Sequence, residues 1–219
     1  MSSFPNSPRL LKGGIVLIDP VSAVVQRIIS LQYNPDTLNR SFQIKGVAAE
    51  GGDRSDALRL TGPPVESIKL DAEIDAIDQL EFPDQNPDAA QSGIQPQLAA
   101  LETIIYPANS QIQSNLALAQ AGTLEIVPME SPLVLFIWSK NRVIPVRLTD
   151  FSITEEAFDT QLNPIRAKVS IGMRVLTVDD LPSDHKGTSL FMAYHQQKER
   201  LAARNRGGAL SGLGITNIP

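Results

Sequence analysis

The sequence predicts a mainly β protein, a β-sandwich or partly closed barrel with one short helix and one C-terminal helix. Three stretches carry that expectation. From Pro164 to Thr177, Ile165, Ala167, Val169, Ile171, Met173 and Val175 alternate with Arg166, Lys168, Ser170, Gly172 and Arg174. Period-two alternation over that length is a strand with one face in a core and one face against something polar. About twelve residues at ~3.3 Å each span roughly 40 Å, twice an ordinary strand. From Val65 to Ala76 the pattern repeats with the opposite charge: Ile68, Leu70, Ala72, Ile74 and Ala76 on one side, Lys69, Asp71, Glu73 and Asp75 on the other. Finally, Leu133 to Ser139 (LVLFIWS) is a continuous apolar run of buried-strand length, returned by a turn at Lys140-Asn141-Arg142. Strands this long need neighbours, because free backbone edges invite aggregation.

Taken in order, residues 1–12 form a polar lead-in. Gly14 to Asp19 is a short apolar strand stopped by Pro20, and Val24 to Tyr33 is a β-branched second strand. Asn34-Pro35-Asp36 is a turn, since proline presets φ and the short polar side chains bond to nearby backbone. Leu38 to Lys45 reads as the return strand of that hairpin. A glycine-rich loop follows over 48–56, and Gly62-Pro63-Pro64 stops the chain before the strand from Val65. Residues 78–95, rich in Asp, Gln, Asn and Pro, read as a loop. Pro96 suits a first helical turn, and Leu98, Leu101, Ile104 and Ile105 give the stripe of a short helix covering one end of the core. Asn109 to Gly122 is open between loop and helix, and Leu124 to Val127 reads as a brief strand. Along Val143 to Ile153 the apolar side switches from Ile144, Val146 and Leu148 to Phe151 and Ile153, which predicts a bulge near Thr149-Asp150. Glu155 to Asn163 reads as a loop. After Thr177 come a linker, a helix over Leu190 to Arg206 and a glycine-rich tail. The domain reading is therefore a lead-in at 1–12, a β domain over 13–178 and a C-terminal linker, helix and flexible tail over 179–219.

Composition narrows the function. Of 219 residues 42% are hydrophobic, enough for a core, and a net charge of −5 argues against a general nucleic-acid binder. The chain has no cysteine, so disulfides, thiolate metal sites and cysteine nucleophiles are excluded. The N-terminus lacks the apolar run of a signal peptide, and no segment approaches the ~20 apolar residues of a membrane span. No nucleophile elbow, phosphate-cradling glycine loop, dinucleotide fingerprint or paired-histidine zinc motif is present. Asp71, Glu73 and Asp75 stand about 7 Å apart along a strand, a spacing at which carboxylates serve a glycosidase or a hard cation, but only with converging partners. The plainer reading is a polar sheet face paired with the basic one. His185 and His195 lack second ligands at metal-site spacing and read as capping or solvated, and Trp138 reads as core. No catalytic residue, cofactor or metal is expected.

Four local patterns together resemble the tube-domain proteins of contractile injection systems, the phage-tail-like particles of bacteria. They are YNPDTL at 33–38, GPPVESIKLDAEIDA at 62–76, the LVLFIW strand with its hairpin return, and FDTQLNPIRAKVSIGMRVL at 158–176. They cover most of residues 10–178. The resemblance implies a tail-tube-like fold of two packed sheets with a helix, six copies closing into a hexameric ring around a lumen. It looks most like the adaptor layer between the inner tube and the baseplate hub or spike. Two departures stand out: Asn163 precedes Pro164 where relatives often carry a nearby glycine, and the chain ends in a helix and glycine-rich tail instead of a peptidoglycan-binding-type repeat.

The expected function is thus structural, in a particle assembled in the cytoplasm and then retained, membrane-docked or released. The expected partners are copies of itself, the inner tube protein, the spike or hub and baseplate components, with no nucleic acid and no membrane insertion. Candidate interface or lumen-lining residues are Asp71, Glu73, Asp75, Arg166, Lys168 and Arg174, with Tyr194 and Leu201 on the C-terminal helix. The alternatives are a ligand- or carbohydrate-binding β-sandwich, which predicts exposed aromatics although only 5% of residues are Phe, Trp or Tyr, and a hydrolase built on the three acids.

Overall fold

The computed structural model describes residues 10–46, 59–122, 131–205 and 207–218. Seven strands are present among them: β1 (Gly14–Ile18), β2 (Val25–Ser30), β3 (Asn39–Gln43), β4 (Val65–Asp75), β5 (Leu133–Ser139), β6 (Arg142–Phe158) and β7 (Pro164–Val175). All neighbours are antiparallel, in the order β2-β1-β5-β6-β7-β4-β3. The fold is mainly β, as expected, and the hydrogen-bonded order stays open, not closed into a barrel.

The sheet nevertheless folds over on itself, and β6 is where it does so. β5 pairs with β6 only from Arg142 to Val146, whereas β7 pairs with it from Val146 to Phe158. One strand of 17 residues therefore serves two halves, β2-β1-β5-β6 and β6-β7-β4-β3. The register slips between Leu148 and Asp150. That bulge lies where the apolar side switches in the sequence, and bulges bend and twist a strand. Gly172 is its counterpart on β7: a Cβ there would stand 2.9 Å from Asp150 Cβ and 3.3 Å from Thr149 Oγ1. A single core then draws on both halves, with Ile15, Leu17 and Phe136 from one and Ile68, Leu70, Val169 and Met173 from the other. The halves also meet at an edge. The Gln32 amide, just after β2, donates to Asp75 O at 2.6 Å and accepts from Asp75 N at 2.9 Å, standing in for a strand neighbour.

Helices cover the two ends. After β4 come α1 (Ile77–Leu80), a 3-10 turn (Pro83–Gln85) and α2 (Pro87–Ser92), where the sequence reads as loop. Pro83 and Pro87 each open one of these pieces, which suits a residue with no N–H to satisfy. Next is α3 (Gln95–Glu102), which buries Leu98 and Leu101, with Ile104 just beyond it, in the shared core and so covers one end as expected. Its entry is fixed by Ile94 N donating to Pro164 O at 2.8 Å. α4 (Asn109–Gln120) resolves the open segment as a helix, and α5 (Lys186–Ala202) is the C-terminal helix, four residues earlier at each end than its apolar spacing suggests. His185 caps it, Nδ1 accepting from Gly187 N at 3.0 Å. A short 3-10 turn spans Leu210–Leu213 in the tail.

Besides the helices at 77–92, two expectations about the strands are corrected. β2 and β3 are not a hairpin: they lie at opposite ends of the strand order, so Tyr33 to Leu38 is a crossing connection. Asn34 belongs to the β1 side, its Oδ1 accepting from Gly13 N at 2.8 Å and its Nδ2 donating to Leu11 O at 2.8 Å. β6 also runs through Glu155 to Phe158, where a loop was expected, because β7 is long enough to pair with it. The turn that follows is tight. Asp159 Oδ1 accepts from Gln161 N at 2.7 Å and Asn163 N at 2.8 Å, and Asn163 Nδ2 donates to Asp159 Oδ2 at 2.8 Å. The Asn163 bonds hold the Asp159 carboxyl below its ordinary pKa. Asn163 at this point is thus a turn former. The loop at 48–56, the strand at 124–127 and most of the lead-in lie outside the described residues.

Gly93 joins α2 to α3 at φ +58° and ψ −130°, and a Cβ there would sit 2.1 Å from Pro164 O. Gly93→Ala is expected to lower stability by about 1–3 kcal/mol through backbone strain alone, read as a lower urea midpoint. An unchanged midpoint would show that the α3 cap does not depend on this approach.

Candidate assembly surfaces

The register between β4 and β7 sets Asp75 opposite Arg166, Glu73 opposite Lys168 and Asp71 opposite Ser170. The acidic and basic faces read from the sequence are one continuous outer surface of the second half of the sheet. Arg166 donates to Asp75 at 2.8 Å and lies 3.4 Å from Glu73. Its guanidinium is pushed above its ordinary pKa by the Asp75 hydrogen bond and charge. Lys168 turns instead to Glu156 on β6, at 2.7 Å, and that bond raises its pKa. Ser170 donates to Asp71. Arg174 lies opposite Ser67 and reaches Asp180 beyond the strand at 2.5 Å. Burial opposes the charge on Asp180 but is outweighed by bonds from Thr177 and by Arg174, so its pKa is lowered. Glu156 and Asp180 are the partners that strand alternation alone did not reveal, since both come from outside the β4–β7 pair. Glu73 and Asp75 thus share Arg166 and Asp71 is bonded by Ser170, and among the described residues no group of three or more His, Cys, Asp or Glu is placed to hold a metal.

A second constellation sits where α5 covers the other end of the core. Glu66 is 3% exposed and shares the inner side of β4 with Ile68 and Leu70. Its carboxylate accepts from Arg40 of β3 at 2.6 and 2.9 Å, from Lys198 at 2.8 Å and from the Tyr194 hydroxyl at 3.1 Å. Burial opposes its ionisation, but the Lys198 and Arg40 hydrogen bonds and charges prevail and hold its pKa low. Tyr194 is shifted upward, first by burial and then by the Glu66 charge. Lys198 also stands 4.1 Å over the Tyr194 ring and 5.5 Å over that of Phe42. The signal for this site was legible in principle: extending the β4 alternation backward by one step puts Glu66 on the core side. Tyr194, read as an interface candidate, is 5% exposed and faces inward, while Leu201, at 42%, faces outward. Of the other singled-out residues, His195 stacks on Phe191 and lies 3.5 Å from Glu199, and Trp138 stacks on Phe136.

No helix among the described residues is long and apolar enough to cross a membrane. A concavity of about 630 Å³ is lined mainly by aliphatic groups such as Ile104, Leu133, Leu148 and Leu181, with Arg147, Asp180 and His185. Asp180 and His185 are already spent on Arg174 and on the α5 cap.

No family model matches this chain, and no curated protein matches it. Among solved structures, the chain is similar to one described as the tail of an empty GTA particle with C6 symmetry. That match has 12% identity, covers 75% of this chain and 90% of that chain, and has a TM-score of 0.30.

Glu66→Gln removes one charge from a buried ionic cluster and is expected to cost about 1–3 kcal/mol at neutral pH. Because the Glu66 pKa is depressed on folding, its contribution is present above the ordinary carboxylate range and is lost as pH falls through the lowered value. Denaturation between neutral and acid pH is expected to be less pH-dependent in the variant. Parallel profiles would show that the cluster does not hold α5 by charge.

Proposed function

We propose that this chain is a structural subunit of a phage-tail-like particle, forming a hexameric ring that joins an inner tube to a baseplate hub or spike. The observation that carries the reading is the four-stranded half β6-β7-β4-β3. Among the described residues its outer strands each have one unpaired side, β3 along its length and β6 from Arg147 to Phe158. Four antiparallel strands leave two edges running in opposite senses. A copy placed beside it by rotation therefore brings its β6 edge antiparallel to the first copy's β3 edge, and every further copy repeats the contact. That is a heterologous contact, which closes into a ring when the rotation closes. Paired this way, the edges also cease to be an aggregation hazard.

Size and surface chemistry support the same reading. Six units of four strands, about 4.8 Å apart and tilted by about 40°, close into a barrel roughly 40–50 Å across at its backbone, wide enough to keep a water-filled lumen. The outer face of this half carries Asp71, Glu73, Arg166, Lys168 and Ser170, groups suited to water on one side of the barrel. We place these residues, with Asp75 and Arg174, on the lumen wall. Their charges are matched within the chain, so they set the register between strands more than they bind neighbouring copies. No chemistry is proposed: the reading is of an assembly component.

Proline is tolerated on an edge strand only where its N–H would have faced away from the neighbour. Ser152 and Glu155 lie three apart on β6 and present their N–H groups to opposite sides. Of the two single proline variants, the one that keeps the wild-type fold by circular dichroism is expected to stay monomeric by light scattering. Wild type, alone or on preformed tube ends, is expected to give annular particles in negative stain. A folded proline variant with wild-type ring mass would reject the β6 edge as a contact, and a wild type that never forms rings would reject the assembly reading.

A further inference from the structure

We infer that the segment from Thr177 to Ala202 is a strap that orders the edge strand β3, so that β3 offers its free side to a neighbour only while α5 is seated. The inference rests on the reading of β3 as a ring edge and adds a condition to it. β3 has five residues, pairs with β4 alone among the described strands, and buries none of its own residues. A strand with one ladder and no side chain in the core belongs to the least protected parts of a fold. By contrast, β7 buries Val169, Ile171 and Met173 and is paired on both sides.

What holds β3 from the inner side is the C-terminal segment. The register sets Arg40 opposite Ile68 and Phe42 opposite Glu66, so both share the inner side of the sheet. Besides its bonds to Glu66, Arg40 donates to the Tyr194 hydroxyl at 2.9 Å. Phe42 lies beside two cations, the Arg40 guanidinium at 5.1 Å and Lys198 Nζ at 5.5 Å from its ring, contacts that attract a cation to the ring face. Just past the strand, Lys45 Nζ meets Asp179 at 2.7 Å. These contacts end on one segment, at Asp179, Tyr194 and Lys198. Its near end is fixed to β7, where Asp180 accepts from Arg174 and from Thr177 N. Its far end is fixed by Phe191 and Tyr194 in the shared core. In the order β7-β4-β3 the segment therefore starts on β7 and reaches β3 across β4, with Glu66 beneath the crossing. With α5 unseated, Glu66 keeps only Arg40, and Phe42 loses the ammonium beside it. β3 has no apolar anchor to replace these ties, so the loss falls on the edge and spares the centre of the sheet.

Asp179→Ala combined with Lys198→Met cuts these ties from outside and leaves the sequence of β3 unchanged. Both side chains are partly exposed, which suits a variant meant to keep its fold. Hydrogen exchange of the dilute full chain is expected to be about tenfold faster over β3 than in wild type, with β7 unchanged. Lys198→Arg is expected to keep wild-type exchange over β3. Asp179→Ala alone leaves the Glu66 cluster whole and is expected to speed β3 by a smaller factor, so it carries the test if the double variant does not fold. Unchanged exchange over β3 in a folded variant would overturn the inference. Equal acceleration over β3 and β7 would overturn it too, because the ties would then hold the whole fold and not the edge. The loosened variant is also expected to give fewer annular particles than wild type at equal concentration, and a wild-type yield of rings would count against the strap. A wild type that never forms rings, with the contrast between β3 and β7 present, would reject the ring alone.

Discussion

The bend of β6 at Asp150 is the constraint on which the rest of the molecule depends. A single strand of 17 residues is too long to lie flat in one small sheet, and its two ends bury opposite sides. One extra residue at the bulge converts that conflict into architecture. The first five residues complete one half with β5, and the remainder builds the other with β7. Gly172 is the concession β7 makes, since no side chain fits against Asp150 there. The fully buried Phe136, Met173 and Ile68 touch a common core only because this corner turns the halves toward each other.

Once the sheet is folded over, its two open ends must be closed, and the chain does so by different physics. The α3 end is apolar: Leu98, Leu101 and Ile104 enter the core, and the backbone is brought in close by a glycine against Pro164. The α5 end is ionic, a buried Glu66 surrounded by Arg40, Lys198 and Tyr194. An ionic closure adds little net stability over an apolar one, because desolvation offsets the attraction. It is selective, however. Arg40 belongs to the edge strand β3, so the seat of α5 and the position of that edge are fixed by the same carboxylate.

Much of this was readable from residues alone. The alternation in β4 and β7, the apolar β5, the bulge and the α3 cap follow from period, proline placement and the switch of apolar side at Thr149-Asp150. What was not readable depends on contacts distant in sequence. Nothing in Tyr33 to Leu38 distinguishes a hairpin from a crossing, because a turn residue fixes local φ and not the strand that follows. The end of β6 carries Glu155 and Glu156 and looks like loop; it is strand because β7 supplies the partner. The charged faces were legible as faces, but Lys168 choosing Glu156 over Glu73 is a matter of side-chain reach across β6, which alternation does not encode.

A surface whose charges are already matched inside the chain has little to offer a partner. Exposed ion pairs contribute about 0–1 kcal/mol each, and Arg166, Lys168 and Asp71 have their partners at hydrogen-bonding distance. What the described chain leaves unsatisfied is of another kind: backbone groups along β3 and the far part of β6, and an uncharged helix with no buried side. Backbone pairing fixes geometry strand by strand, and apolar contact is tolerant of angle. An edge of backbone groups therefore accepts a further strand only in a fixed register, a demand that matched surface charges do not make.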